Sequence, residues 1–183
     1  MTLKLSTLAI ALGLFFGLPQ IYGIVNPQKF AANVRKFSRN TPIGIVLMLL
    51  ATAWFLLYVG EESISEFANY KPWLISAFAA VGIGSCIFVQ DFLAVRGLAV
   101  LFLLLAKLML DSGRPMLQTT HWTWVIQAWA YVLILIGMWL TVSPFRLRDF
   151  LQWATANERR VRIGSAIRLA FGIFILVLGL TKF

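Results

Sequence analysis

Six apolar stretches, each close to the length that crosses a bilayer and joined by short polar segments, limit what this chain can fold into. A hydrocarbon core about 30 Å thick asks for about 20 mostly apolar helical residues. Residues 3–25, 42–60, 72–90, 92–110, 122–142 and 162–181 come near that length. The composition agrees: 60% of the 183 residues are hydrophobic and 13% are charged, where a soluble domain carries about half and about a quarter. A soluble core could not hide so large an apolar share, because a domain of about 150 residues leaves about 30% of its surface exposed. The expected fold is all-α: a polytopic membrane bundle of about six transmembrane helices with two cytoplasmic interfacial amphipathic helices. Residues 1–183 are expected to form a single integral membrane domain. The first stretch imitates a signal peptide, with Lys4 ahead of the run from Leu5 to Leu18, but no small-x-small cleavage site follows, so it reads as a retained transmembrane helix.

The polar segments divide into two kinds. Asn26-Pro27 has the chemistry of a helix start, a capping side chain followed by proline at the first helical position. Phe30, Val34 and Phe37 then recur at i, i+4 and i+7, with Lys29, Asn33, Lys36 and Arg39 on other faces, which predicts a helix lying on the membrane surface. Thr41-Pro42 repeats the cap and proline for the second span. Ser143-Pro144 does so again, followed by an apolar face of Leu147, Phe150, Leu151 and Ala154. The other kind is the acidic stretch Glu61, Glu62 and Glu66, and the tight Gln90-Asp91 junction, which makes the third and fourth spans a hairpin.

Placing Asn26 over Ser143 gives an offset of 117 residues and the same order of parts: span, amphipathic helix, basic cluster, span. The expected plan is hairpin 1–60, middle hairpin 71–111 and hairpin 122–182, the outer two being parallel repeats about an axis along the membrane normal. Duplication and convergence both account for it.

Charge sets the expected topology. The formal net charge is +9, and the cations gather in short loops, not in a polar domain, so nucleic acid is not an expected partner. With six spans, one side receives Lys29, Arg35, Lys36, Arg39, Arg96, Arg146, Arg148, Arg159, Arg160 and Arg162, while the other keeps Lys4, Lys71, Arg114 and Lys182. This asymmetry predicts an inner-membrane protein with basic loops in the cytoplasm and both termini outside. Lys29, Arg35, Lys36, Arg39, Arg146, Arg148, Arg159, Arg160 and Arg162 are the expected contacts with anionic lipid headgroups.

Few residues carry candidate chemistry. No Asp or Glu lies mid-span, which argues against a proton- or cation-coupled carrier. Arg168 lies about 9 Å inside the last span, where an arginine costs roughly 2–3 kcal/mol unless it is paired or snorkels. It reads either as a snorkelling side chain or as a ligand for an anion or lipid phosphate. Gln127 is an interhelical hydrogen-bonding candidate. Lys107 and Asp111 form an i, i+4 pair at a span's end. His121 is the sole histidine, and catalysis there would need Asp111 and Arg114 to converge on it. Cys86 reads as a small packing residue. No metal site or cofactor is expected. Small residues recur every fourth position in two spans, Ala9, Gly13 and Gly17 in the first and Ser76, Ala80 and Gly84 in the third, giving faces for close helix approach. Pro19 is expected to kink the first helix.

Leu18-Pro19-Gln20-Ile21-Tyr22 resembles the proline-glutamine motif of the PQ-loop transporter families, in which the dipeptide ends the first helix of a three-helix repeat and acts as a hinge. The resemblance covers five residues. It implies a carrier with Pro19 and Gln20 at a hinge, and the chain departs from the pattern in its longer polar segment and in having Val142-Ser143-Pro144 in the second hairpin. The short hairpins also look loosely like uncharacterised single-hairpin inner-membrane proteins. The leading expectation is a non-enzymatic integral membrane subunit, an accessory or scaffold protein packing against other membrane chains or as a homo-oligomer. The alternative is a small carrier or substrate-binding subunit for an anionic or polar solute, with Arg168, Gln127, Pro19 and Gln20 between the repeats.

Overall fold

The structure is a computed structural model and describes residues 4–61 and 68–183. Glu62 and Glu66 of the acidic stretch lie outside the described residues. Among the described residues there are eight α-helices and no strand: α1 (Leu5–Val25), α2 (Pro27–Phe37), α3 (Thr41–Glu61), α4 (Lys71–Phe88), α5 (Leu93–Gly113), α6 (Thr123–Val142), α7 (Phe145–Ala154) and α8 (Glu158–Thr181). All but α2 and α7 are long and apolar enough to cross a membrane. The chain is therefore a polytopic membrane helical bundle, and the order span, short amphipathic helix, span occurs twice.

Helix boundaries follow local chemistry, with two departures from expectation. Asn26 and Ser143 do not cap: Asn26 makes no side-chain cap bond, and α7 starts after Pro144. The working cap is Asn40, whose Oδ1 accepts the Ile43 amide at 3.2 Å, so the start of α3 is fixed one residue ahead of the expected Thr41. The last span begins at Glu158, not 162, which puts Arg159, Arg160 and Arg162 on the first turns of α8. Between α4 and α5, Phe92 turns the chain with φ 55°, a left-handed conformation that side chains with a Cβ seldom adopt. Some hydroxyls inside the spans are satisfied by their own helices, as in Ser76 Oγ to Pro72 O at 2.9 Å and Ser85 Oγ to Val81 O at 2.7 Å, while the buried Ser112 and Ser165 hydroxyls have no hydrogen-bond partner among the described residues.

Packing does not follow the sequential hairpins. The closest pair is α1 with α8, the first and last spans, while α5 packs against both α3 and α6, and α4 packs on α3. The α1–α8 seam rests on glycine. A Cβ at Gly13 would lie 2.7 Å from the Gly172 carbonyl oxygen, and one at Gly172 would lie 2.8 Å from the Gly17 Cα. The Ala9, Gly13 and Gly17 face is thus used inside the chain. A second glycine seam joins α3 to α5, where a Cβ at Gly97 would lie 2.8 Å from the Met48 nitrogen. Lipid offers no hydrophobic reward for helix association, so this close approach and its dispersion contacts hold the pairs together.

The larger buried cluster occupies one half of the bundle, and a smaller one, Val95, Ala99 and Leu140 with Leu147, joins α5, α6 and α7 in the other. Leu8 and Leu12 of α1, Ala106 and Met109 of α5, Ile126 and Ala130 of α6, and Ile175 and Leu178 of α8 form one cluster. Phe16, Trp129 and Phe171 tie α1, α6 and α8 together edge to face, with both ring pairs 5.0 Å apart. These residues come from the N-terminal halves of α1 and α6 and the C-terminal halves of α5 and α8. The opposite half, toward α2 and α7, is where the α1–α8 pair parts from α5.

Candidate functional site

That parting leaves an open crevice of about 540 Å³, lined by Pro19, Gln20 and Tyr22 of α1, Phe30, Asn33, Val34 and Phe37 of α2, Leu98 of α5, Leu147 and Leu151 of α7, and Arg168 of α8. Its volume falls in the range of small-molecule sites. Phe30, Val34 and Phe37 of α2 and Leu147 and Leu151 of α7 turn inward to line it, while Phe145, Phe150 and Trp153 of α7 are exposed. Phe30, Val34 and Phe37 are half-buried against the bundle. Tyr22 and Phe30 meet edge to face at 6.4 Å.

Arg168 reaches the crevice because of its register. Val161, Ser165, Gly172, Ile175 and Gly179 are buried on α8, and Arg168, itself exposed, falls between Ser165 and Gly172 in the same alternation of four and three residues, the period of a packing seam. Its side chain runs back along the helix toward Gly164, as helical side chains do. A Cβ on Gly164 would stand 3.2 Å from the Arg168 Nη2. Nη1 donates to Gln20 Oε1 at 3.5 Å, the long limit of a hydrogen bond. Among the described residues no carboxylate lies within ion-pair distance of Arg168, and none lines the crevice. A guanidinium with five donors therefore has one long protein acceptor.

The structure brings Arg168, Gln20 and Pro19 together and leaves Gln127 elsewhere. Gln127 is 6% exposed, and a Cβ on Gly113 would lie 3.4 Å from its Nε2. It packs in the closed half, because it stands one turn into α6 from the end opposite α7, whereas Arg168 is in the half of α8 nearest α7. Pro19 sits inside α1, which continues to Val25, so the Pro-Gln pair does not end the first helix as the PQ-loop resemblance implied. Asn33, Leu98 and Leu147 are site residues that sequence reasoning did not assign.

The two amphipathic helices are fastened over the crevice. Arg35 Nε donates to Thr155 Oγ1 at 2.8 Å and its Nη2 to the Thr155 carbonyl, while Gln28 Nε2 donates to Glu158 Oε1 at 2.6 Å. Four of the expected headgroup cations thus have protein partners, among them Arg35, Arg148, which pairs with Asp149 at 2.9 Å, and Arg160, over the Trp153 ring at 5.3 Å. Arg146 lies over the neighbouring Phe145 ring at 5.6 Å. Lys29, Lys36, Arg39, Arg159 and Arg162 are exposed.

At the other end of the bundle Lys107 pairs with Asp111 at 3.0 Å and lies 5.0 Å from the Tyr58 ring centre, and Arg114 approaches Asp111 at 3.9 Å. The His121 side chain joins neither group by a hydrogen bond or ion pair. Fold and crevice together define a class, a multi-pass membrane protein with a cationic crevice closed at one end. The chain matches no known protein family, no characterised protein and no solved structure.

Proposed function

We propose that the chain is a non-enzymatic substrate-binding subunit or small carrier of the cytoplasmic membrane, with Arg168 as the ligand for an anionic solute and Gln20 and Asn33 as polar neighbours. The observation that carries this is the guanidinium of Arg168 in an apolar crevice without a carboxylate. An arginine held within a membrane span costs free energy, and an anion is the missing partner that would offset it through charge-assisted hydrogen bonds. The place of the crevice, between the α1–α8 pair and α5 with α7, adds support, since carriers bind between groups of helices. In this reading α2, α7 and the basic loops face the cytoplasm, both termini lie outside, and Lys29, Lys36, Arg39, Arg159 and Arg162 meet anionic headgroups.

The test is thermal unfolding of the purified protein in non-ionic detergent, with anions titrated in. A bound anion stabilises the fold by about 2.7 kcal/mol at a hundred times its Kd. The unfolding midpoint of wild type is expected to rise with an anion and that of Arg168→Gln to stay still. Equal shifts in both proteins would remove Arg168 from the site.

The accessory or scaffold reading has one observation in its favour. On α4, Ser76 and Ala80 are exposed and Gly84 is half-buried. The helix touches α3 through Gly82 on Thr52 and through Phe78 on Phe55 at 4.9 Å. A second membrane chain, or a second copy, could pack along that small-residue face.

A further inference from the structure

The crevice also bears on which anion fits. Resting on the proposal that Arg168 binds an anion, we infer that its occupant is a membrane lipid with an anionic phosphate headgroup, entering sideways from the bilayer. Arg168 and Gln20 lie at matching depth, the first about 9 Å beyond Arg162 and the second about 8 Å before the end of α1. The guanidinium turns back toward Gly164, which raises it by about 6 Å toward the α2 and α7 end. The cation therefore stands with Gln20 beneath α2 and α7, whose Phe30, Val34, Phe37, Leu147 and Leu151 line the crevice together with Pro19 and Leu98.

One exposed cation in an open, largely apolar crevice matches a lipid, with its phosphate on the guanidinium and its acyl chains against the apolar lining. The end of the crevice toward the loops is roofed by α2 and α7. Those helices pack against each other, Arg35 fastens α2 to Thr155 at the end of α7 and Gln28 fastens it to Glu158 of α8, and Phe30, Val34 and Leu151 turn toward the site. The exposed Lys36 and Arg39 beside it would enrich anionic lipid locally.

The experiment is native mass spectrometry of the full chain in non-ionic detergent, supplied separately with phosphatidylglycerol, phosphatidylcholine, diacylglycerol or inorganic phosphate. Wild type is expected to retain one phosphatidylglycerol per chain, about tenfold or more over phosphatidylcholine. Diacylglycerol is expected at the phosphatidylcholine level, and excess inorganic phosphate should not displace the lipid. Arg168→Gln should lose the preference, and Arg114→Gln at the far end should keep it. Val34→Trp, which fills the crevice and leaves the arginine in place, should lower retention, and a native helical circular dichroism spectrum separates lost binding from lost folding. If inorganic phosphate binds in an Arg168-dependent way and displaces the lipid, the lipid inference is overturned and the anion site stands. If neither phosphate nor phosphatidylglycerol distinguishes wild type from Arg168→Gln, both are overturned.

Discussion

Two glycines of the same helix seam should respond to the same substitution in opposite ways. At Gly172 an added Cβ would lie 2.8 Å from the Gly17 Cα and 3.0 Å from both the Gly13 oxygen and the Gly17 nitrogen, all backbone atoms that no rotamer change can move. Ordinary carbon contacts are about 3.5–4.0 Å, so α1 and α8 must separate by about 0.7–1.2 Å to admit Gly172→Ala. A gap of that size forfeits roughly a quarter to a half of each contact's dispersion well along the seam. Overpacking costs typically about 1–3 kcal/mol, and the upper part of that range is expected here, because packing is the main force joining helices in lipid. At Gly17 the nearest atoms to an added Cβ are 3.7 and 3.8 Å away, which is ordinary contact. Gly17→Ala should therefore be neutral, or stabilising by a few tenths of the helix-propensity difference of about 1 kcal/mol. Reversible unfolding in mixed micelles, followed by circular dichroism, measures both. Equal destabilisation by the two variants, or none at Gly172, would refute the seam.

Three further outcomes follow from particular contacts. Asn40→Ala should destabilise by about 1 kcal/mol through the lost cap, while Asn26→Ala, which removes no cap bond, should stay within about 0.5 kcal/mol in the same unfolding assay. Arg35→Ala should free α2 from Thr155 and raise amide exchange over residues 30–37 about fivefold, equivalent to about 1 kcal/mol, as read by hydrogen-exchange mass spectrometry; unchanged exchange would show that the fastening holds nothing. Cys86 is the chain's one cysteine and sits on α4, so a short bis-maleimide crosslinker applied to membranes tests self-association along that helix. A covalent dimer abolished by Ala80→Trp would favour the scaffold reading, and a monomer at full Cys86 labelling would count against self-association on that face.

The spans were legible because lipid demands a long apolar helix, and that demand is written residue by residue. The Ala9, Gly13 and Gly17 face was legible too, but its partner was not, because a face predicts close approach without saying which helix approaches. The signal lay in α8, where Ser165, Gly172 and Gly179 recur every seventh residue, a spacing that a search at every fourth position passes over. The same alternation places Arg168 on the seam side of α8, where its side chain is exposed to the crevice, so its position could have been read from sequence. The crevice could not, since it depends on α1 pairing with α8 and on α2 and α7 turning Phe30, Val34, Phe37, Leu147 and Leu151 toward the bundle. Gln127 was grouped with Arg168 because both are polar groups within spans. Counting turns from the α7 side separates them, as Gln127 lies near the far end of α6 and Arg168 near the close end of α8.

The most direct measurement of the central claim is photo-crosslinking of the reconstituted protein with a phosphatidylglycerol analogue reactive near its headgroup, with labelled peptides mapped by mass spectrometry. Labelling is expected in residues 30–37 and around Gln20 and Arg168, and it should fall sharply in Arg168→Gln. Label spread over the exposed faces of α3 and α4, with no response to that substitution, would contradict the claim that the crevice is a lipid-phosphate site.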